Sequence, residues 1–106
     1  MSSTDHPWLK EEVLEQLRAF LSERGSAYGL QALGCFGSVA RGEATSASDV
    51  DIVYQVSPST RLTLFDLALL REELVELLDR SVDLIEFREE MPARLRERVR
   101  EEAVYV

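Results

Sequence analysis

Apolar residues recur at Leu9, Val13, Leu17, Phe20 and Leu21, in steps of three and four that form one stripe of a helix. Asp5 and Pro7 ahead of this run suit a helix start, and Gly25 suits a stop. Residues 30–36, LQALGCF, form an apolar run of strand length. Residues 49–56, DVDIVYQV, are rich in β-branched residues, so both segments predict strands. The polar stretch between them, GSVARGEATSAS, predicts a loop with one helical turn. After a turn at 57–61, residues 62–79 are dense in leucine. Leu67, Leu70, Leu74, Leu77 and Leu78 share one broad face, as in a helix lying on a sheet. SVDLIEF at 81–87 predicts a third strand. Met91, Leu95 and Val99, four residues apart, predict a last helix, and AVYV at 103–106 a short closing strand. The alternation predicts an α/β (α+β) fold: a small mixed sheet of three to four strands flanked by helices.

Composition narrows the class. The chain has 106 residues, 20 acidic and 12 basic, for a net charge of −8. At this length one core forms, so residues 1–106 read as a single domain. The acidic balance argues against direct nucleic-acid or anionic-membrane binding, which leaves a basic footprint. No apolar stretch approaches the roughly 20 residues a bilayer span needs. With one cysteine, Cys35, no internal disulfide forms, and the expected location is cytoplasmic. Cys35 reads as a small core residue, since no base stands near it in the sequence. His6 is the only histidine, so a histidine-rich zinc site is excluded. Chemistry here has to come from carboxylates, arginines, hydroxyls and backbone amides.

Those groups cluster between 37 and 56. Gly37 and Ser38 follow a strand directly, where a glycine lets the backbone approach a ligand and the next amides can face an anion. Ser38 adds a hydroxyl, and Arg41 a planar fork of donors suited to phosphate oxygens. An ordinary strand-to-helix turn would use the same residues. Asp49 and Asp51 are two apart, so on a strand they face the same way and repel unless a cation lies between them. Hard oxygen ligands at this spacing suit Mg²⁺, which takes one or two carboxylates plus substrate phosphates. A solvated strand start is the alternative. Asp83 sits in an otherwise apolar strand, where an aspartate is costly unless paired or metal-bound. The alternative places it at a strand edge beside Arg80 or Arg88. Together a phosphate cradle and three carboxylates make a two-metal device for phosphoryl or nucleotidyl transfer.

GSVARGEATSASDVDIVYQV resembles the GS-x-x-RG, then SD-x-D, signature of the nucleotidyltransferase superfamily that includes DNA polymerase beta. Short length and the VDLIEF strand resemble its minimal nucleotidyltransferase (MNT) branch, antitoxins paired with HEPN-domain ribonuclease toxins. The resemblance implies a nucleotidyltransferase fold. It implies that Gly37, Ser38, Arg41 and Ser48 bind ATP, and that Asp49, Asp51 and Asp83 are catalytic and hold two Mg²⁺ ions. It implies transfer of AMP from ATP to a tyrosine of a HEPN toxin, in a hetero-oligomer. Two other functions use the same features: an antitoxin that neutralises by binding alone, to which the acidic charge is suited, and a small-molecule nucleotidyltransferase. Of the remaining residues, Trp8, Tyr28 and Tyr54 read as packing. Arg94, Arg96, Arg98 and Arg100, offset by glutamates, read as a solvated helix face.

Overall fold

The computed structural model describes residues 9–45 and 47–106. Asp5, His6, Pro7 and Trp8 lie outside the described residues. The elements run α1 (Leu9–Arg24), a 3-10 turn (Gly25–Tyr28), β1 (Leu30–Phe36), α2 (Gly37–Arg41), β2 (Val50–Val56), α3 (Leu64–Leu78), β3 (Val82–Glu86), α4 (Ala93–Glu102) and β4 (Val104–Tyr105). They form one four-stranded sheet in the order β3-β2-β1-β4. β1 pairs antiparallel with β2 and with β4, and β2 pairs parallel with β3. A parallel neighbour needs a crossover, which α3 supplies.

Alternation along the strands sorts the side chains into two layers. Val50, Ile52 and Tyr54 of β2, with Leu33 and Cys35 of β1 and Val82 of β3, face α1 and α3. There they meet Val13, Leu17, Phe20, Leu70, Leu74 and Leu78 in the main core. Phe36 and Val53 face the other way and pack with Val99, Met91 and Leu95 around α4. Tyr28 and Tyr54 are buried in the main core, and burial pushes the Cys35 thiol up to about 11, so Cys35 is a packing residue.

Two local devices explain how α3 is placed. Its start is fixed by a capping box: Thr63 Oγ1 accepts from the Asp66 amide, and Asp66 Oδ2 accepts from the Thr63 amide. At the exposed edge of the main core, Arg24 donates twice to Glu73 of α3 at 2.9 Å each, and the Tyr28 hydroxyl donates to the same carboxylate. The leucine face is narrower than the sequence predicts. Leu70, Leu74 and Leu78 are buried, whereas Leu77 is 37% exposed, one residue too far round the helix. Among the described residues no helix is long and apolar enough to cross a membrane.

Candidate functional site

The chain turns sharply where β1 ends. Phe36 is extended, and Gly37 has φ +73°, a left-handed conformation that costs little only without a Cβ. Phe36 stands opposite Asp51 in the β1–β2 ladder. A Cβ added at Gly37 would come within 2.3 Å of Asp51 Oδ2. The glycine thus lets the backbone opening α2 lie directly against a carboxylate.

β2 then places two aspartates by register. Asp51 pairs with Asp83 across the parallel β2–β3 ladder, so the carboxylates stand on neighbouring strands, about 5 Å apart at the backbone. They share the face that carries Val53, Ile85 and α4, opposite the main core. Asp49 lies one residue ahead of β2 and is exposed. Asp51 is half-buried, and its carboxyl is held above the usual carboxylate range. Burial is the first cause, then the like charges of Asp83 and Asp49; Arg41 and Arg98 act in the opposite direction.

The surroundings differ from the sequence-based expectation at three residues. Asp83 is exposed, because β3 is the edge strand, so it is brought beside Asp51 by register rather than by burial in an apolar strand. Ser48 holds the loop before β2: its Oγ accepts from the Thr45 amide at 2.9 Å, and its own amide donates back to Thr45 O at 3.1 Å. The Arg80 guanidinium ties the same Thr45 carbonyl at 3.2 Å, so the Asp49 approach is anchored from the β3 side. Arg41 does stand near Asp51, but its Nε donates to Glu43 at 3.0 Å and its Nη1 to Glu102 at 3.1 Å. Arg98 and Glu102 of α4 therefore belong to this neighbourhood. In the sequence they are two more charges on a charged helix, and only the packing of α4 beside α2 and β2 brings them here.

Among the described residues, no three acidic, histidine or cysteine side chains converge closely enough to form a ready-made metal cage. That fits a cation that arrives with its substrate: Mg²⁺ keeps waters and phosphates as ligands and needs only one or two carboxylates from the protein. Oxygen donors on Asp51 and Asp83, set on neighbouring strands by register, suit that chemistry. The site is an open surface. A groove of about 830 Å³, lined by Tyr54, Ser57, Arg61 and Glu86, lies at the far end of β2. Its nearest lining residues on the strands, Tyr54 and Glu86, lie three residues along from Asp51 and Asp83, about 10 Å, so the groove does not contain the carboxylates.

Comparison with known proteins places the chain in a family and agrees with its fold. The family model for the nucleotidyltransferase domain matches residues 14–106. Protein adenylyltransferase MntA of Thermococcus cleftensis is 35% identical over 96 residues, covering 91% of this chain and 94% of that protein. A solved structure assigned as a minimal nucleotidyltransferase superposes with a TM-score of 0.68 at 34% identity, covering 98% of both chains. A complex of the tri-AMPylated HEPN toxin of Shewanella oneidensis with MNT antitoxin includes a chain of the same fold. The TM-score is 0.56 at 22% identity, covering 92% of this chain and 67% of that one.

Proposed function

This chain belongs to the nucleotidyltransferase domain family, and from that membership we propose that it is an antitoxin transferring AMP from ATP to a tyrosine of a HEPN-domain toxin. The observation that carries the reading is the Asp51–Asp83 register directly behind the Gly37 turn. A nucleotidyl transfer needs a phosphate cradle and paired carboxylates within reach of each other; the Gly37 turn supports the first and the Asp51–Asp83 register the second. Two relatives support the acceptor class: one is named a protein adenylyltransferase, and the other is an MNT antitoxin in complex with a tri-AMPylated toxin. The open site supports it too, since a docked protein surface can present a hydroxyl where a closed pocket could not.

In this reading the backbone at Gly37 and Ser38 receives the phosphates, and Arg41 adds charge beside them. Asp49, Asp51 and Asp83 would hold two Mg²⁺ ions, which supply charge neutralisation on the phosphates and activation of the acceptor oxygen. Asp83, exposed on the edge strand, faces an incoming partner and helps draw the proton from the tyrosine hydroxyl. The tyrosine oxygen forms a bond to the α-phosphorus, the α–β bridging bond breaks, and pyrophosphate leaves. The reaction belongs in the cytoplasm, where ATP is supplied.

Intact mass of the HEPN partner after incubation with this protein, ATP and Mg²⁺ tests the proposal. Wild type adds mass in AMP units, and Asp49→Asn and Asp51→Asn add none. Transfer retained by both variants overturns the assignment of the site. A stable complex with no added mass from wild type overturns the enzymatic reading in favour of neutralisation by binding, to which the charge of −8 is suited.

A further inference from the structure

α4 follows β3 and crosses the face of the sheet that carries Asp51. Val99 is fully buried against Phe36 and Val53, which fixes how the helix is rolled. Its neighbour Arg98 and the next-turn Glu102 are thereby directed to the α2 side. Glu102 accepts from Arg41 Nη1 at 3.1 Å through one oxygen and lies 3.9 Å from Arg98 Nε through the other. One carboxylate from α4 thus gathers an arginine from α2 and an arginine from its own helix. Phe36 stands opposite Asp51 in the β1–β2 ladder and packs on Val99, so this segment of α4 lies beside the face that carries Asp51.

We infer that α4 completes the phosphate-binding side of the site. Arg98 and Arg41 bind the phosphates beyond the reacting phosphorus, and Glu102 is the positioning residue that holds the two guanidinium groups together. The inference rests on the nucleotidyltransferase reading and names two residues of that site. Donor counting supports it. Arg41 has five N–H donors and spends two on Glu43 and Glu102, leaving three. Arg98 meets Glu102 at a length too great for a hydrogen bond, so this ion pair leaves its fork open. Position supports it as well. Arg41 ends α2, about 6 Å along the helix from Gly37, so the arginine pair lies one helical turn from the Gly37 turn. Charge gives the reason. A triphosphate approaching Asp49, Asp51 and Asp83 is repelled by their like charge, and cationic guanidinium groups held beside that face offset the repulsion.

Equilibrium binding of ATP, AMP and pyrophosphate, each with Mg²⁺, separates this role from a structural one. Arg98 is 58% exposed at its side chain, so Arg98→Gln is expected to fold, which its melting temperature checks. Arg98→Gln should weaken ATP and pyrophosphate about tenfold and leave AMP unchanged, as expected for loss of a charged hydrogen bond. Glu102→Gln should weaken ATP a few-fold, again sparing AMP, and Arg98→Lys should recover part of the loss. Equal weakening of AMP and ATP, or no change in ATP affinity, overturns the inference. Failure of the acceptor assignment looks different: wild type then binds ATP with the Arg98 dependence intact and still adds no AMP to the toxin. If wild type binds neither ATP nor pyrophosphate, both readings fall.

Discussion

The two faces of the sheet are built to different standards. The face under α1 and α3 holds the main core, with Leu17, Leu33, Ile52, Leu70 and Leu74 completely buried. It is also tied by the Arg24–Glu73–Tyr28 clamp and a capped helix start. The face under α4 is thin: Phe36, Val53 and Val99 are its buried members, and Pro92, at the N-cap of α4, gives the helix start no side-chain cap. The carboxylates stand on the thin face. The difference separates two tasks. One face stabilises the sheet and so fixes the strand register, while the other leaves the Asp51–Asp83 edge open to solvent and to a partner. Charge that destabilises the thin face is tolerated because the thick face holds the strands in place.

Replacing Asp51 by asparagine should break this division most strongly. Transfer should fall about a thousandfold or more, the scale of losing a carboxylate that places metal charge on a phosphate. Stability should move in the opposite direction. The folded-state pKa of Asp51 is raised above its unfolded value, so ionised Asp51 costs stability at neutral pH. That cost is relieved as pH falls through the folded pKa. Asp51→Asn should therefore melt higher than wild type at pH 7, by calorimetry without nucleotide, and the gain should shrink as pH falls toward the ordinary carboxylate range. A variant that melts lower at pH 7 would show that Asp51 holds the fold together, against the division of tasks.

Core truncation sharpens the comparison. Leu74 is fully buried in the thick face, and Leu74→Ala should cost about 3 kcal/mol in urea unfolding. At temperatures where the variant stays folded, its ATP affinity should be that of wild type. Val99 is equally buried, but under α4. Val99→Ala should cost less, about 2 kcal/mol, because fewer methyl groups are lost. Unlike Leu74→Ala, it should also weaken ATP binding, since the roll of α4 places Arg98 and Glu102. Equal effects of the two variants on ATP affinity would erase the functional distinction between the faces.

Much of this plan is legible in the sequence, and what is not legible has a physical reason. The periods of Leu9–Leu21 and Met91–Val99 and the β-branched run at 50–56 are local patterns, and α1, α4 and β2 stand on them, α4 starting two residues after Met91. Gly37, Asp49 and Asp51 are legible because their spacing is itself the signal. The Asp51–Asp83 pairing is not local. It depends on which strands are neighbours and in what register, and the apolar character of VDLIE misstates the exposure of Asp83 at a sheet edge. Arg98 and Glu102 are hidden for a related reason. On a helix with four arginines and many glutamates, only the burial of Val99 decides which charges face the site.

Two glycines of nearly equal conformation give the smallest stability effects and the finest test of the thin face. Gly37 has φ +73° and Gly42 φ +75°, at the two ends of α2. Backbone strain from adding a Cβ is therefore the same at both, about 1–2 kcal/mol. Their surroundings differ: a Cβ at Gly42 meets nothing within 4 Å, whereas at Gly37 it meets the Asp51 carboxylate. Gly42→Ala should lose about 1 kcal/mol of stability in urea unfolding and keep its AMP transfer rate. Gly37→Ala should lose as much or more and also lose transfer, because Asp51 must swing away from the cradle. Matched kcat values and matched stability losses in the two variants would mean that the close approach of Gly37 to Asp51 contributes nothing to catalysis. A loss of transfer confined to Gly37→Ala would show that this single contact couples the phosphate turn to the carboxylate edge.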